Sequence, residues 1–238
     1  MTKPTSYYAL IEAFQAAGCA VCKLLLRDVD RYLDSVLYEY VLEPDTHKAF
    51  RAMRGLCNTH SWQLTHTRGN AVGIAVLYKA VVDEVLKEIA RVPVMPEQRR
   101  GLARHFTSAA ADGSALSEAL DPHEPCRACQ LINSSETSYL NVFSEHISEQ
   151  KFWAAYSASH GLCLPHLRLA LKLLKPPALR QVVDVQREIW ERAKAELDLF
   201  QDRHKHENQG DTMGTEVDSW TRAIGYMAGE NGVFGLDR

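Results

Sequence analysis

All six cysteines of the chain fall in two sets of three, and a histidine follows the last cysteine of each set at the same distance. The first set is Cys19, Cys22 and Cys57 with His60. The second is Cys126, Cys129 and Cys163 with His166. Each reads Cys-x-x-Cys, a long spacer, then Gly-Leu-Cys-x-x-His. These residue types at this spacing suit metal chemistry. Cys-x-x-Cys places two sulfurs on one turn, and Cys-x-x-His does the same with one sulfur and one nitrogen. Zn²⁺ is borderline-soft, takes four tetrahedral ligands and accepts both thiolate and imidazole. The expected arrangement is one Cys3His site per half: Cys19, Cys22, Cys57 and His60 in one, Cys126, Cys129, Cys163 and His166 in the other. A [4Fe–4S] cluster also takes four protein ligands and stays open as the alternative, although the Cys-x-x-Cys-x-x-Cys run of ferredoxins is missing. A dithiol enzyme would leave the third cysteine and the histidine of each set without a role.

The spacers that must position these ligands read as helices. In "CKLLLRDVDRYLDSVLYEYVL", Leu25, Val29, Leu33, Val36, Leu37, Tyr40 and Val41 form one apolar stripe at helical spacing. "PDTHKAFRAMRG" predicts a short helix with Pro44 near its start and Gly55 at its end. "NAVGIAVLYKAVVDEVLKEIARV" predicts another, ending before Pro93. The second half repeats this order with "CQLINSSETSYLNVFSEHI", "EQKFWAAYSASHG" and a long helix from about 177 to 204. Each Cys-x-x-Cys and each Gly-Leu-Cys-x-x-His should open a helix, where free N–H groups and the helix dipole favour thiolate. No run alternates with period two between hairpin turns, so the expected fold is all-α.

Similarity between the sets extends past the ligands. Tyr32-Leu33 and Tyr139-Leu140 each begin 13 positions after the first cysteine. Ala49, Phe50 and Ala52 match Ala155, Tyr156 and Ala158 when counted back from the third. This pattern predicts an internal duplication of a helical hairpin, packed as a pseudo-two-fold bundle. The expected organisation is a first metal-binding repeat over 1–93, a helical linker over 94–125, a second repeat over 126–206, and a tail over 207–238. In the tail, Trp220, Ile224 and Met227 share one face of a short helix that should dock on the body.

With these residues in view, "CAVC…GLCNTH" and "CRAC…GLCLPH" resemble an uncharacterised prokaryotic family, a domain of unknown function with twin Cys-x-x-Cys and Gly-(Leu/Phe)-Cys-x-x-His units. The tail "DSWTRAIGYMAGENGVFG" resembles that family's C-terminal end, and the likeness covers roughly residues 6 to 235. Ala20 and Arg127 stand where members often carry proline. The resemblance implies metal sites and brings no established activity.

Composition bounds the rest. The chain has 238 residues, 46% of them hydrophobic, enough for a sizeable core. A net charge of −3 gives no global pull toward nucleic acid or anionic lipid. No run approaches the ~20 apolar residues of a membrane span, and the N-terminus does not read as a signal peptide. A cytoplasmic location is expected, where closely spaced cysteines serve as metal ligands or redox pairs more than as structural disulfides. No Gly-x-Ser-x-Gly, phosphate-binding loop or His-Glu-x-x-His is present, so no catalytic residue is assigned. His66 and His160 lie near the motifs and read as ordinary histidines, as do His204 and His206 at a helix end. Arg99, Arg100 and Arg104 read as a solvated face, and Trp62, Trp153, Trp190 and Trp220 as core or docking residues. The function expected is a metal-binding scaffold or interaction module with two structural zinc sites and an unidentified protein partner. The alternative is an iron–sulfur redox or sensor protein with two [4Fe–4S] clusters.

Overall fold

Helical spacing of apolar residues gives helices throughout, and the described residues contain no strand. The structure, a computed structural model, describes residues 2–66, 70–92, 113–205 and 214–234. Within them run α1 (Thr5–Ala13), α2 (Ala20–Tyr38), α3 (Pro44–Ala52), α4 (Asn58–Leu64), α5 (Ala71–Arg91) and α6 (Ser114–Leu120). They are followed by α7 (Arg127–His146), α8 (Gln150–Ser157), α9 (Leu164–Leu173), α10 (Ala178–Arg203), a 3-10 turn (Thr215–Asp218) and α11 (Ser219–Ala228). Residues 94–112 of the linker expected to be helical, the basic cluster Arg99, Arg100 and Arg104, and His206 lie outside the described residues. No helix among those described is long and apolar enough to cross a membrane.

The chain forms two compact units, Met1–Asp30 with Leu131–Arg238, and Arg31–Gln130. The division falls inside α2 and inside α7. Cys19 and Cys22 therefore belong to the same unit as Cys163 and His166, while Cys126 and Cys129 belong with Cys57 and His60.

In the first unit, α1 presents Tyr7, Leu10 and Phe14 along one buried stripe. Phe14 meets Phe152 and Tyr156 with ring centroids 5.5 and 5.7 Å apart, and Phe143 meets Tyr156 at 5.1 Å, all edge-on. Such pairs add about 0.5–1.5 kcal/mol each beyond the area they bury. Nearby, the Tyr139 hydroxyl donates to Asp28 at 2.5 Å and accepts from Arg27 at 3.0 Å, so this polar group enters the core edge with partners. In the second unit, Leu33, Val36 and Leu37 of α2 are buried, as are Ala49, Phe50, Met53, Leu64, Leu77 and Val81, and α5 packs on α3 and α6.

Three expectations of burial are corrected. Tyr40 is 49% exposed because α2 ends at Tyr38, which takes Tyr40 off the helical stripe. In α11, which packs on α9 and α10, Trp220, Ile224 and Met227 do share a face, but that face points to solvent at 54, 56 and 47% exposure. The opposite face docks through polar contacts. Arg222 donates to Glu196 on α10 at 2.7 Å and to the Thr215 carbonyl at 2.6 Å, and the Tyr226 hydroxyl lies 3.2 Å from His160 Nδ1. Trp62, expected in a core or docking role, is likewise 66% exposed.

Candidate metal centres

Each ligand-bearing residue stands at a helix N-terminus, for a local reason. Cys19 and Cys126 precede α2 and α7, and their carbonyls accept the first helical bonds, from Lys23 N–H at 3.2 Å and Gln130 N–H at 3.0 Å. Cys57 and Cys163 have extended backbones and cap α4 and α9. The glycine of each Gly-Leu-Cys lies in the left-handed region, Gly55 at φ +88° and Gly161 at φ +71°. The Gly55 N–H reaches back to the Phe50 carbonyl at 2.8 Å, a Schellman-type closure. A methyl group at Gly161 would meet the Gln186 amide at 2.7 Å. That amide is itself fixed, its Oε1 accepting from Leu162 N–H at 2.9 Å and from the Tyr156 hydroxyl at 3.2 Å. Gly161→Ala is therefore expected to cost at least about 2 kcal/mol in urea unfolding. Gly113→Ala, where a methyl group meets nothing within 4 Å, should change stability by less than about 0.5 kcal/mol.

The eight cysteines and histidines named by the motif assemble into two groups of four, but not the two groups expected. One is Cys19, Cys22, Cys163 and His166; the other is Cys57, His60, Cys126 and Cys129. Each takes its Cys-x-x-Cys from one half of the sequence and its Cys-x-x-His from the other. The expectation that each half closes its own site is thereby corrected, because the compact units cut across the halves. In both groups the four donor atoms lie within 4.8 Å of one another. Both are arranged to bind a metal ion.

In the first group, His166 Nδ1 lies 3.4, 3.3 and 3.2 Å from the sulfurs of Cys19, Cys22 and Cys163, and Cys22 Sγ lies 3.7 Å from Cys163 Sγ. All four residues are at most 4% exposed. The other ring nitrogen of His166 donates to Glu136 Oε1 at 3.1 Å, which fixes the tautomer and aims Nδ1 at the sulfurs. Behind the sulfurs comes the segment after α11. A methyl group at Gly229 (φ +84°) would meet Phe234 at 2.5 Å and Cys22 Sγ at 3.4 Å. The Phe234 ring lies 5.0 Å from the His166 ring.

In the second group, His60 Nδ1 lies 3.1, 3.7 and 3.5 Å from the sulfurs of Cys57, Cys126 and Cys129, and Cys57 Sγ lies 3.6 Å from Cys129 Sγ. His60 is buried, but the three cysteines are only half-buried. His60 Nε2 is buried with no hydrogen-bond partner among the described residues.

The electrostatics of both groups suit a cation. Burial pushes the Cys19 thiol up, yet hydrogen bonds with Cys163, Cys22 and His166 outweigh it and hold Cys19 well below an ordinary thiol. Hydrogen bonds to Cys163 and Cys19, with burial added, force Cys22 well above. Burial opposes the His166 imidazolium, but Cys163, Cys19 and Glu136 raise it to about 11. In the second group burial acts against Cys126, yet His60 and the backbone at Cys57 and Cys129 lower it to about 6. Burial and then the Cys126 charge push Cys129 up to about 12. Thiolates this close ionise together only when a cation neutralises them, and a bound divalent ion displaces the remaining protons.

Glu136, Gly229, Phe234 and Gln186 support the first group and carry no spacing signal in the sequence. Three of the histidines outside the two groups take ordinary roles. His66 is exposed; His160 pairs with Tyr226; His204 Nδ1 donates to the Phe200 carbonyl, 2.8 Å away, at the end of α10.

Comparison with known proteins gives a family and adds no activity. An uncharacterized 23.9 kDa protein in the xynA 3′ region of Caldicellulosiruptor sp. (strain Rt8B.4) is 21% identical over 223 residues, covering 92% of this chain and 99% of that one. No solved structure matches. A family model matches residues 5–232, nearly the whole chain with both ligand groups, and on that match the chain belongs to the family of unknown function DUF6062.

Proposed function

We propose that this chain is a helical metalloprotein in which each Cys3His group holds one zinc ion as a structural crosslink. The role is that of a scaffold for a protein partner in a reducing compartment, not that of an enzyme. One observation carries the choice of metal: the spacing of the donor atoms. Zn–S bonds of about 2.3 Å and Zn–N bonds of about 2.0–2.1 Å at tetrahedral angles put sulfurs about 3.8 Å apart and sulfur and nitrogen about 3.5 Å apart. The Sγ–Sγ separations of 3.6 and 3.7 Å and the Nδ1–Sγ separations of 3.1 to 3.7 Å follow that pattern. In a [4Fe–4S] cluster each ligand sits on a different iron, so the donors spread to roughly 6 Å. A 4.8 Å limit on all donor pairs favours a single ion.

The scaffold role is supported by the closure of the donor set. Four protein ligands fill a tetrahedral shell, whereas a catalytic zinc keeps a position for water or substrate. An internally duplicated hairpin, in which each copy lends half of its ligands to the other, accounts for the recurrence of the motif. The reading is tested by metal content and a visible spectrum on protein purified without oxygen and without a histidine tag. About two zinc per chain and no colour support it. Iron with matching sulfide and absorbance at about 400 nm would replace it with the cluster reading.

A further inference from the structure

We infer that the two centres hold their metal on different terms: the one at Cys19, Cys22, Cys163 and His166 retains it, and the one at Cys57, His60, Cys126 and Cys129 exchanges it with outside ligands. The inference rests on the zinc reading above and adds a division of labour within it. Three features separate the centres.

The first is access. A competing ligand displaces a bound one by reaching the metal or a donor atom, and the donor residues of the first centre are 0 to 4% exposed. Cys57, Cys126 and Cys129 are open on part of their surface. The second is support of the histidine. His166 is held by Glu136, and such outer partners are worth about 10–100-fold in metal affinity. His60 Nε2 has no such partner among the described residues. The register of the repeated motif shows the same difference: ten residues after the first cysteine stands Glu136 in one half and Val29 in the other. The third is the C-terminal segment. Gly229 and Phe234 lie against Cys22 and His166, Val233 is 1% exposed, and Gly229 leaves no room for a side chain. This segment seals the first centre.

The test is release of zinc from the intact, zinc-loaded chain to the chromophoric chelator 4-(2-pyridylazo)resorcinol under reducing conditions. One equivalent should leave at least tenfold faster than the other. Alkylation by N-ethylmaleimide after the fast phase, read by peptide mass spectrometry, should mark Cys57, Cys126 and Cys129 and spare Cys19, Cys22 and Cys163. Glu136→Gln should speed the slow phase about tenfold or more and leave the fast phase unchanged. Release of both equivalents at one rate, or alkylation of Cys19, Cys22 and Cys163 first, overturns the inference while the zinc reading stands. A slow phase indifferent to Glu136→Gln removes the part assigned to that carboxylate. A chain that binds no zinc at all removes the zinc reading itself.

Discussion

The double variant Cys19→Ser, Cys163→Ser should keep one zinc per chain, and the double variant Cys19→Ser, Cys57→Ser should keep none. Cys19 and Cys163 belong to one centre, so removing both empties that centre and leaves Cys57, His60, Cys126 and Cys129 complete. Cys19 and Cys57 belong to different centres, so removing both leaves two sets of three ligands. Were each half of the sequence to close its own site, the two results would be reversed. The readout is zinc per chain after dialysis against a weak chelator, which separates a complete tetrahedral set from an incomplete one. The first centre is the harder to lose. Its sulfurs are buried beside α9 and the residues after α11, and an unpaired thiolate left there costs about 1–3 kcal/mol or more. The Cys19→Ser chains should accordingly melt well below the parent.

Stripping both metals has the largest expected effect. A structural zinc contributes on the order of 10 kcal/mol to folding, because the site does not exist in the unfolded chain. Net stabilities of domains are only about 5–15 kcal/mol. Two such ions would therefore be comparable with everything else that holds the helices together. Treatment with excess chelator and reductant at 25 °C should abolish most of the far-UV helix signal, and added zinc should restore it. Acid should act in the same direction. Binding needs deprotonated thiols, so protonation as pH falls releases the metal, and stability drops with it. Helix signal and melting temperature unchanged by chelation would mean that the ions are not structural.

Much of this was legible in the sequence, for local reasons. The apolar stripe from Leu25 to Leu37 reports a helix with one buried face wherever that helix goes, and Pro44 and Gly55 mark the ends of α3 by their own backbone preferences. All eight ligand-group residues were visible because Cys-x-x-Cys and Cys-x-x-His are each held within one turn. The pairing was not. Each half-site obeys the same local rule whichever partner completes it, and only tertiary packing sends Cys19 to His166 instead of His60. Glu136 escaped for the same reason, since its distance from His166 is set by the approach of α7 to α9 and not by any spacing along the chain. In α11 the pattern of Trp220, Ile224 and Met227 announced an apolar face but not which face meets the body. Arg222 and Tyr226, on the other side, decided that through Glu196 and His160.

X-ray absorption at the zinc edge on the purified, untagged chain reads out whether one zinc ion sits in each exchanged Cys3His group. The expected result is about three sulfurs at about 2.3 Å and one imidazole nitrogen at about 2.0–2.1 Å around each zinc, with no metal–metal scattering and about two zinc per chain. A first shell of oxygen and nitrogen, or zinc absent and iron present with a short iron–iron distance, would contradict it.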